Sequence, residues 1–329
     1  MRRLLIASAA LAVLGGAGFM AYDQLLRGEP PPESPVHNSN GPIVTQEEFD
    51  HLAQTDPVKL LDQCLTRYER EVKGGMHATL VKQERVKGEP KDPKALPPEE
   101  VIDLWVRGDV EAPATKKTAI EVLMKWKAEP RSFLGSAIRG TLFSEKSKAE
   151  GGLDGQVTTW RPEASFKKLT TVDANNSLAK GMSRYCIRDA GLYRTMLRTH
   201  QAWKSRQDAG TLKFEYKGTQ THPRIGRECH VIKRVCEAAE VDDFELRKDE
   251  GVGGTPAAGP GVAAKEGFTE VTIYIDAERW IQAGTELYRT EPDGTPEGRR
   301  VLVGAYYFRD VELNPTIPPD TFTQETLKK

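Results

Sequence analysis

The stretch that decides the fold lies near the C-terminus, at 268–323. It includes VTIYIDAERWIQAGTELYR (271–289), PDGTPEG (292–298) and RRVLVGAYYFRDVELNPTIPPDTFT (299–323). The first and third segments are rich in β-branched and aromatic residues, as strands are, and the second has the glycine and proline content of a turn. Prolines near the end of the third segment terminate its strand. The pattern predicts an antiparallel, strongly curved sheet whose concave face has to be filled.

The segments before this stretch predict an α+β domain. Apolar residues recur at helical spacing in 45–73, which Pro57 divides into two helices, and again in 189–207. The remaining segments read as strands, and one of them places Ile120, Val122, Met124 and Trp126 on a single face. The strand-like segments are 77–86, 101–107, 118–127, 136–145, 156–161, 165–172, 214–216 and 229–235. We therefore expect about ten strands, with helices against the concave face.

The N-terminus carries an export segment. Arg2 and Arg3 precede nineteen residues without a charge, Leu4 to Tyr22. A helix of this length is about 28 Å long, close to the thickness of a bilayer's hydrocarbon core. The arginines predict a cytoplasmic N-terminus and export of the rest of the chain. Residues 1–27 are a signal peptide or an N-terminal membrane anchor, and a small-residue cleavage pattern at 15–17 leaves both interpretations open.

The rest of the chain divides into a stem and one domain. Residues 28–44 are rich in proline and predict an extended spacer. The domain spans 45–329 and is interrupted by a low-complexity segment at 250–267, which predicts a disordered loop between two strands. With 47 basic and 48 acidic residues the net charge is −1, so no global field favours nucleic acid.

Four cysteines are compatible with disulfide bonds in an exported chain, but the sequence does not determine which of them pair. Cys64, Cys186, Cys229 and Cys236 allow three pairings. Cys229 and Cys236 are seven residues apart on one predicted strand, so they face opposite sides of the sheet and do not bond to each other. The sequence is therefore consistent both with buried free thiols and with the disulfide pairings that do not join Cys229 to Cys236.

Several motifs resemble a known group of proteins. They are KQERVKG (82–88), MKW (124–126) followed by Pro130, IRDAGL (187–192), GREC (226–229), YID (274–276) and YFRDVELNP (307–315). Together they resemble an uncharacterised family of exported bacterial proteins known as a domain of unknown function. The ending also resembles the outer-membrane lipoprotein-carrier (LolA/LolB-like) superfamily. This resemblance covers about residues 56–323 and implies a half-open β-barrel plugged by helices, with a lipid or a lipidated protein as ligand.

The chain departs from the carrier pattern at two places. Trp280, Ile281 and Gln282 stand where the pattern usually has a proline before the returning strand. The strand after Pro130 is usually rich in branched and aromatic residues, whereas here it reads GSAIRG (135–140). Both departures concern the mouth of the cavity that the resemblance implies.

Signals of catalysis and metal binding are weak throughout the sequence. The six histidines have neither the i, i+4 pairing nor the cysteine spacing of zinc sites. Ser183 lacks the second glycine of a nucleophile elbow. We therefore predict no enzyme, no cofactor and no metal site. The charged run KQERVKG binds an anion or is a solvated strand face, and its mixed charge favours the second interpretation.

The apolar strand faces support the functional hypothesis. Trp105, Met124, Trp126, Ile273 and Ile275 are candidates to line a cavity for an acyl chain, although ordinary core packing explains the same residues. The first hypothesis is a non-enzymatic cell-envelope protein that binds a lipid or another apolar ligand in a half-barrel cavity. The alternative is a membrane-tethered interaction or sensor domain of the envelope. In both cases the domain is periplasmic or in the cell envelope, and the second requires an inner-membrane anchor.

Overall fold

The computed structural model describes residues 37, 41–86, 90–108, 110, 119–128, 132–133, 136–165, 168–174, 182–241, 267–292, 294–295 and 298–329. The predicted export segment at 1–27 and nearly all of the predicted loop at 250–267 lie outside the described residues. Within these ranges, none of the helices combines the length and the apolar character needed to cross a membrane.

One antiparallel sheet of eleven strands dominates the described part of the chain. In chain order the strands are β1 (Met76–Glu84), β2 (Glu99–Arg107), β3 (Glu121–Ala128), β4 (Ser132–Phe133), β5 (Ser136–Ala137), β6 (Gly140–Ser144), β7 (Gln156–Trp160), β8 (Leu169–Asp173), β9 (Lys213–His222), β10 (Arg227–Glu240), β11 (Phe268–Asp276), β12 (Gln282–Glu291) and β13 (Arg299–Leu313). The short β4 and β5 pair only with each other, and the large sheet has the order β8-β7-β6-β3-β2-β1-β13-β12-β11-β10-β9.

The sheet is curved and remains open. Its two ends, β8 and β9, do not pair with each other in the described part of the chain, so the barrel is half-formed. Each pair of neighbouring strands is antiparallel, and β1 joins the two halves by pairing with β2 on one side and β13 on the other. The predicted α+β fold, with a strongly curved antiparallel sheet and helices, is confirmed.

Helices fill part of the concave face. They are α1 (Gln46–Thr55), α2 (Pro57–Glu71) and α3 (Leu192–Asp208), whereas the C-terminal α4 (Gln324–Lys328) packs on the opposite face, where Leu327 clusters with Leu123 and Leu142. Thr45 caps α1 in a capping box with Glu48, and Asp56 caps α2 directly before Pro57. The apolar stripe predicted for α2 is buried in the concave-face core; its members are Leu61, Cys64, Leu65, Tyr68 and Val72.

The Asn-Pro motif at the end of the curved sheet fastens β13 to α2. Asn314 adopts a φ of 54°. Its Oδ1 accepts hydrogen bonds from the backbone N–H groups of Lys73 at 2.6 Å and Gly74 at 2.9 Å, and its Nδ2 donates to the carbonyl oxygen of Glu71 at 2.8 Å. Asparagine tolerates this left-handed conformation better than most residues. The motif therefore satisfies backbone groups that the end of α2 leaves open.

All four cysteines are buried, free thiols. Cys229 belongs to a cluster on the convex face, and Cys236 belongs to the concave-face core, as their spacing on one strand predicted. Burial raises the pKa of the Cys186, Cys229 and Cys236 thiols to about 12. The thiols are therefore protonated and unreactive at neutral pH.

One residue of the predicted stem, His37, is held between helices α2 and α3. Its Nε2 lies 2.8 Å from Asp62 Oδ1, and its Nδ1 lies 3.0 Å from Glu69 Oε1. The ring of His200 on α3 meets it edge-on, with 5.7 Å between ring centroids. Only 6% of the His37 side chain is exposed.

We expect this contact to weaken in mild alkali. Burial alone lowers the pKa of His37, but hydrogen bonds to Asp62 and Glu69 and their negative charges raise it to about 9. A group whose pKa is higher in the folded state adds stability that is complete below the unfolded pKa, about 6.5, and is lost as the pH rises through about 9. Burial, with the charge of His37, lowers the pKa of His200 to about 4.

NMR titration of the imidazole signals tests this prediction. His37 should titrate near pH 9 and His200 near pH 4. The stability difference between the native protein and His37→Gln should shrink over the same alkaline range. A His37 signal that titrates at the ordinary histidine value would contradict the buried ion pairs.

Candidate ligand cavity on the concave face

A cavity of about 170 Å³ opens on the concave face at the β8 end of the sheet. Helices α1 and α3 pack on the other end, against β9, β10 and β12. Most of the cavity wall is apolar, and its apolar members among the described residues include Leu80, Met124, Trp126, Ile138, Val157, Val172, Ala174 and Phe308. An apolar cavity of about 150 Å³ is large enough to hold benzene, so this one has room for a group of at least that size.

The strand register explains why the wall changes from apolar to charged. Phe308, Leu80 and Ile102 lie side by side across β13, β1 and β2. Two residues further along the same strands, Tyr306, Lys82 and Glu100 form the next row on the same face. Adjacent rows are about 7 Å apart because residues rise by about 3.4 Å along a strand. The apolar row and the charged row of the cavity wall are therefore close enough for a ligand longer than about 7 Å to contact both.

Lys82, Glu84 and Glu100 form a charged group on the cavity wall, here named the charged wall, and Arg161, Asp189 and Arg198 are the other charged residues that line the cavity. The Lys82 ammonium lies 3.2 Å from Glu84 Oε2 and 3.7 Å from Glu100 Oε1. The side chains of Glu84 and Glu100 are 1% and 0% exposed, and that of Lys82 is 11% exposed. Buried charges of this kind are tolerated only when they are paired and hydrogen-bonded.

Hydrogen bonds from the surrounding elements fix both carboxylates. Trp126 Nε1 donates to Glu100 Oε2 at 2.7 Å, and the Tyr306 hydroxyl donates to Glu84 Oε1 at 2.7 Å. The Ser183 hydroxyl lies 3.3 Å from both oxygens of Glu84. Burial and the charge of Glu84 raise the pKa of Tyr306 well above its ordinary value, so this hydroxyl keeps its proton.

The interpretation of KQERVKG as a solvated strand face is wrong for its described part. Residues Lys82 to Val86 are all buried. Lys82 and Glu84 face the cavity, whereas Gln83 and Arg85 donate to the carbonyl oxygens of Pro97 and Ala95 on the opposite side of the sheet. At this end of β1 a loop packs on one face and the other face lines the cavity. The side chains on both faces are therefore buried.

The five apolar residues proposed from the sequence lie in three different places. Met124 and Trp126 are on the cavity wall. Ile273 and Ile275 on β11 are fully buried in the concave-face core, beyond the residues that line the cavity. Trp105 lies on the opposite face of β2, where it stacks on His77 with 3.9 Å between ring centroids. A role in ligand binding remains a prediction, and Met124 and Trp126 are placed to have one.

The charged wall was not predicted from the sequence. One signal for it is present, because Ala78, Leu80, Lys82 and Glu84 alternate on one face of β1. Charged residues that continue an apolar alternation are a sign of a buried polar site.

Among the described residues, no cluster of three or more histidine, cysteine, aspartate or glutamate side chains is placed to hold a metal ion.

Comparison with known proteins gives similarity only at the level of structure. No family profile matches the sequence, and no curated protein matches it significantly. Solved structures that resemble it include a DUF1329 family protein from Desulfovibrio piger, with 10% identity, a TM-score of 0.34, and coverage of 83% of this chain and 100% of that one. A LolA superfamily protein from Nitrosomonas europaea has 10% identity and a TM-score of 0.30, and the match covers 81% of this chain and 99% of that one.

A third similar structure is a β-barrel-like DUF1849 protein from Brucella abortus, with 10% identity, a TM-score of 0.17, and coverage of 74% and 99%. The names agree with the sequence resemblance, which pointed to a domain of unknown function and to the lipoprotein-carrier superfamily. The fold described above rests on the strand pairing of this chain.

Proposed function

We propose that this protein is a non-enzymatic cell-envelope protein that binds a lipid or another apolar ligand in the cavity of its half-barrel. The observation that carries the proposal is the cavity of about 170 Å³ with a mainly apolar wall on the open side of the concave face. Each methylene of an acyl chain buried there contributes about 0.8 kcal/mol. About six methylenes therefore supply about 5 kcal/mol before the costs of association.

The charged wall supports an amphipathic ligand. Lys82 and Glu100 lie one row away from Leu80 and Phe308, and Glu84 lies two rows away, so a ligand in this cavity meets both apolar and charged groups. Convergent polar groups in an otherwise apolar pocket orient a ligand and give specificity. A lipid, or the acyl chain of a lipidated protein, has this division between an apolar chain and a polar end.

The envelope location rests on the sequence alone. The segment Leu4 to Tyr22 predicts export as a signal peptide or as an anchor, and an anchored form suits the alternative function of a tethered interaction or sensor domain. Mass measurement and fractionation of the mature protein separate the two. Loss of the first ~20 residues with a wholly soluble product favours a diffusing carrier.

Substitution of Val172 tests the binding site. Val172 on β8 lines the cavity, whereas its neighbour Thr171 is exposed on the same strand. We expect Val172→Trp to fill the cavity and to weaken binding of a fluorescent fatty acid at least tenfold, about 1.4 kcal/mol. Thr171→Trp is the matched control and should bind within about twofold of the native protein.

Fluorescence titration of the three proteins gives the result. Thermal unfolding of each variant shows whether the fold is kept. The proposal fails if the native protein shows no saturable binding of the fatty acid. It also fails at this site if a folded Val172→Trp variant binds as tightly as the native protein.

A further inference from the structure

A second, smaller cavity adjoins the first beneath helix α3. It has a volume of about 30 Å³ and lies against β10, β11 and β12. Phe268, Val271 and Leu287 are among the apolar residues on its wall. Arg206 and Arg234 also line it, and both pair with Glu240 on the same wall.

Three residues belong to the walls of both cavities. They are Tyr185 from the segment before α3, Arg198 on α3 and Tyr306 on β13. These three residues, here named the partition, separate the two spaces. All three are at least nine-tenths buried.

Ring contacts among its members and a hydrogen bond to the charged wall hold the partition in place. The guanidinium carbon of Arg198 lies 3.8 Å from the centroid of the Tyr185 ring. That ring meets Tyr306 edge-on with 5.7 Å between centroids, and the Tyr306 hydroxyl donates to Glu84. A cation over an aromatic ring is held most strongly where water is excluded, as it is here.

We propose that the partition sets the longest apolar chain that the protein accepts. This inference rests on the proposed function. Tyr185 and Tyr306 close one side of the larger cavity and the smaller cavity lies behind them, so an apolar chain directed towards them is stopped there. The ligand class is therefore a single-chain amphiphile of limited length, and removal of the Tyr185 ring extends that length into the smaller cavity.

Chain-length dependence of binding tests the partition. Hexanoic, octanoic, decanoic, dodecanoic and hexadecanoic acids are used to displace a fluorescent fatty acid from the full-length protein. In the native protein, affinity should rise by roughly fourfold per methylene and then stop rising at a defined length. In Tyr185→Ala the rise should continue for at least two more methylenes, which makes the next longer acid about fifteenfold tighter than in the native protein.

Tyr185→Phe is the matched control because it keeps the ring, and it should have the length limit of the native protein. Should Tyr185→Ala fail to fold, Tyr185→Leu, which keeps more of the apolar contact, takes its place. An identical length limit in the native protein and in the folded ring-deleted variant overturns the partition and leaves the proposed function standing. If the native protein binds neither the fluorescent fatty acid nor any of the acids, the proposed function is overturned, and this inference falls with it.

Discussion

Replacement of Lys82 by methionine is expected to lower the free energy of unfolding by about 3–5 kcal/mol. The substitution removes the ammonium that lies between Glu84 and Glu100, whose side chains are 1% and 0% exposed. Two carboxylates then remain buried without this counter-charge, and removal of one partner from a buried ion pair is among the most destabilising changes a folded protein can undergo. Urea denaturation measures the effect.

Lys59→Met is the matched control for this prediction. The Lys59 side chain is 74% exposed, and its ammonium lies 3.4 Å from Asp56. An exposed pair of this kind contributes at most about 1 kcal/mol. Adding Glu100→Gln to Lys82→Met should recover part of the lost stability, because it removes one of the two negative charges. A Lys82→Met variant as stable as the Lys59→Met control would mean that Lys82 does not balance the two carboxylates.

Trp280→Ala is expected to destabilise the protein by about 3–5 kcal/mol. The Trp280 ring stacks on Phe49 of α1 with 4.0 Å between centroids, and its Nε1 donates to Gln46 Oε1 at 3.1 Å. The Arg67 guanidinium of α2 lies 4.8 Å from the same ring. This one side chain therefore joins the β11–β12 turn to both N-terminal helices.

Trp280→Phe is the control, since it keeps an aromatic ring on Phe49 and loses the hydrogen bond to Gln46 and part of the buried ring. It should cost less than Trp280→Ala, about 1–2 kcal/mol. Hydrogen exchange should show that α1 loses protection in Trp280→Ala and largely keeps it in Trp280→Phe. If Trp280→Ala leaves both the unfolding free energy and the protection of α1 unchanged, α1 is held by other contacts.

Local pattern was sufficient to predict most elements of this fold, although not the short β4 or the C-terminal α4. The strand alternation around Ile120 and Met124, the capping box at Thr45 and the apolar stripe of α2 depend on neighbours within a few residues. The Asn314 motif also marked the end of the curved sheet. Its contacts with Lys73 and Gly74 depend on the three-dimensional fold and gave no signal in the sequence.

The candidate site was harder to predict because it is built from distant segments. Lys82 meets Glu100 only through the register of β1 and β2, and Arg198 reaches the cavity from a helix far along the chain. The charged residues of β1 suggested a solvent-exposed strand, whereas a loop packs on one of its faces and the other face lines the cavity. The departure at Trp280 was visible in the sequence. Its role became clear only when Phe49 and Gln46 were found against it.

The central claim is that the cavity holds an apolar ligand, and native mass spectrometry tests it most directly. The full-length protein is purified gently from its own cells and compared with Val172→Trp and Thr171→Trp. We predict a species heavier than the polypeptide by the mass of one lipid or fatty acid in the native protein and in Thr171→Trp, and its loss in Val172→Trp. A single ligand-free species in the native protein, together with no binding of a fluorescent fatty acid, would contradict the claim.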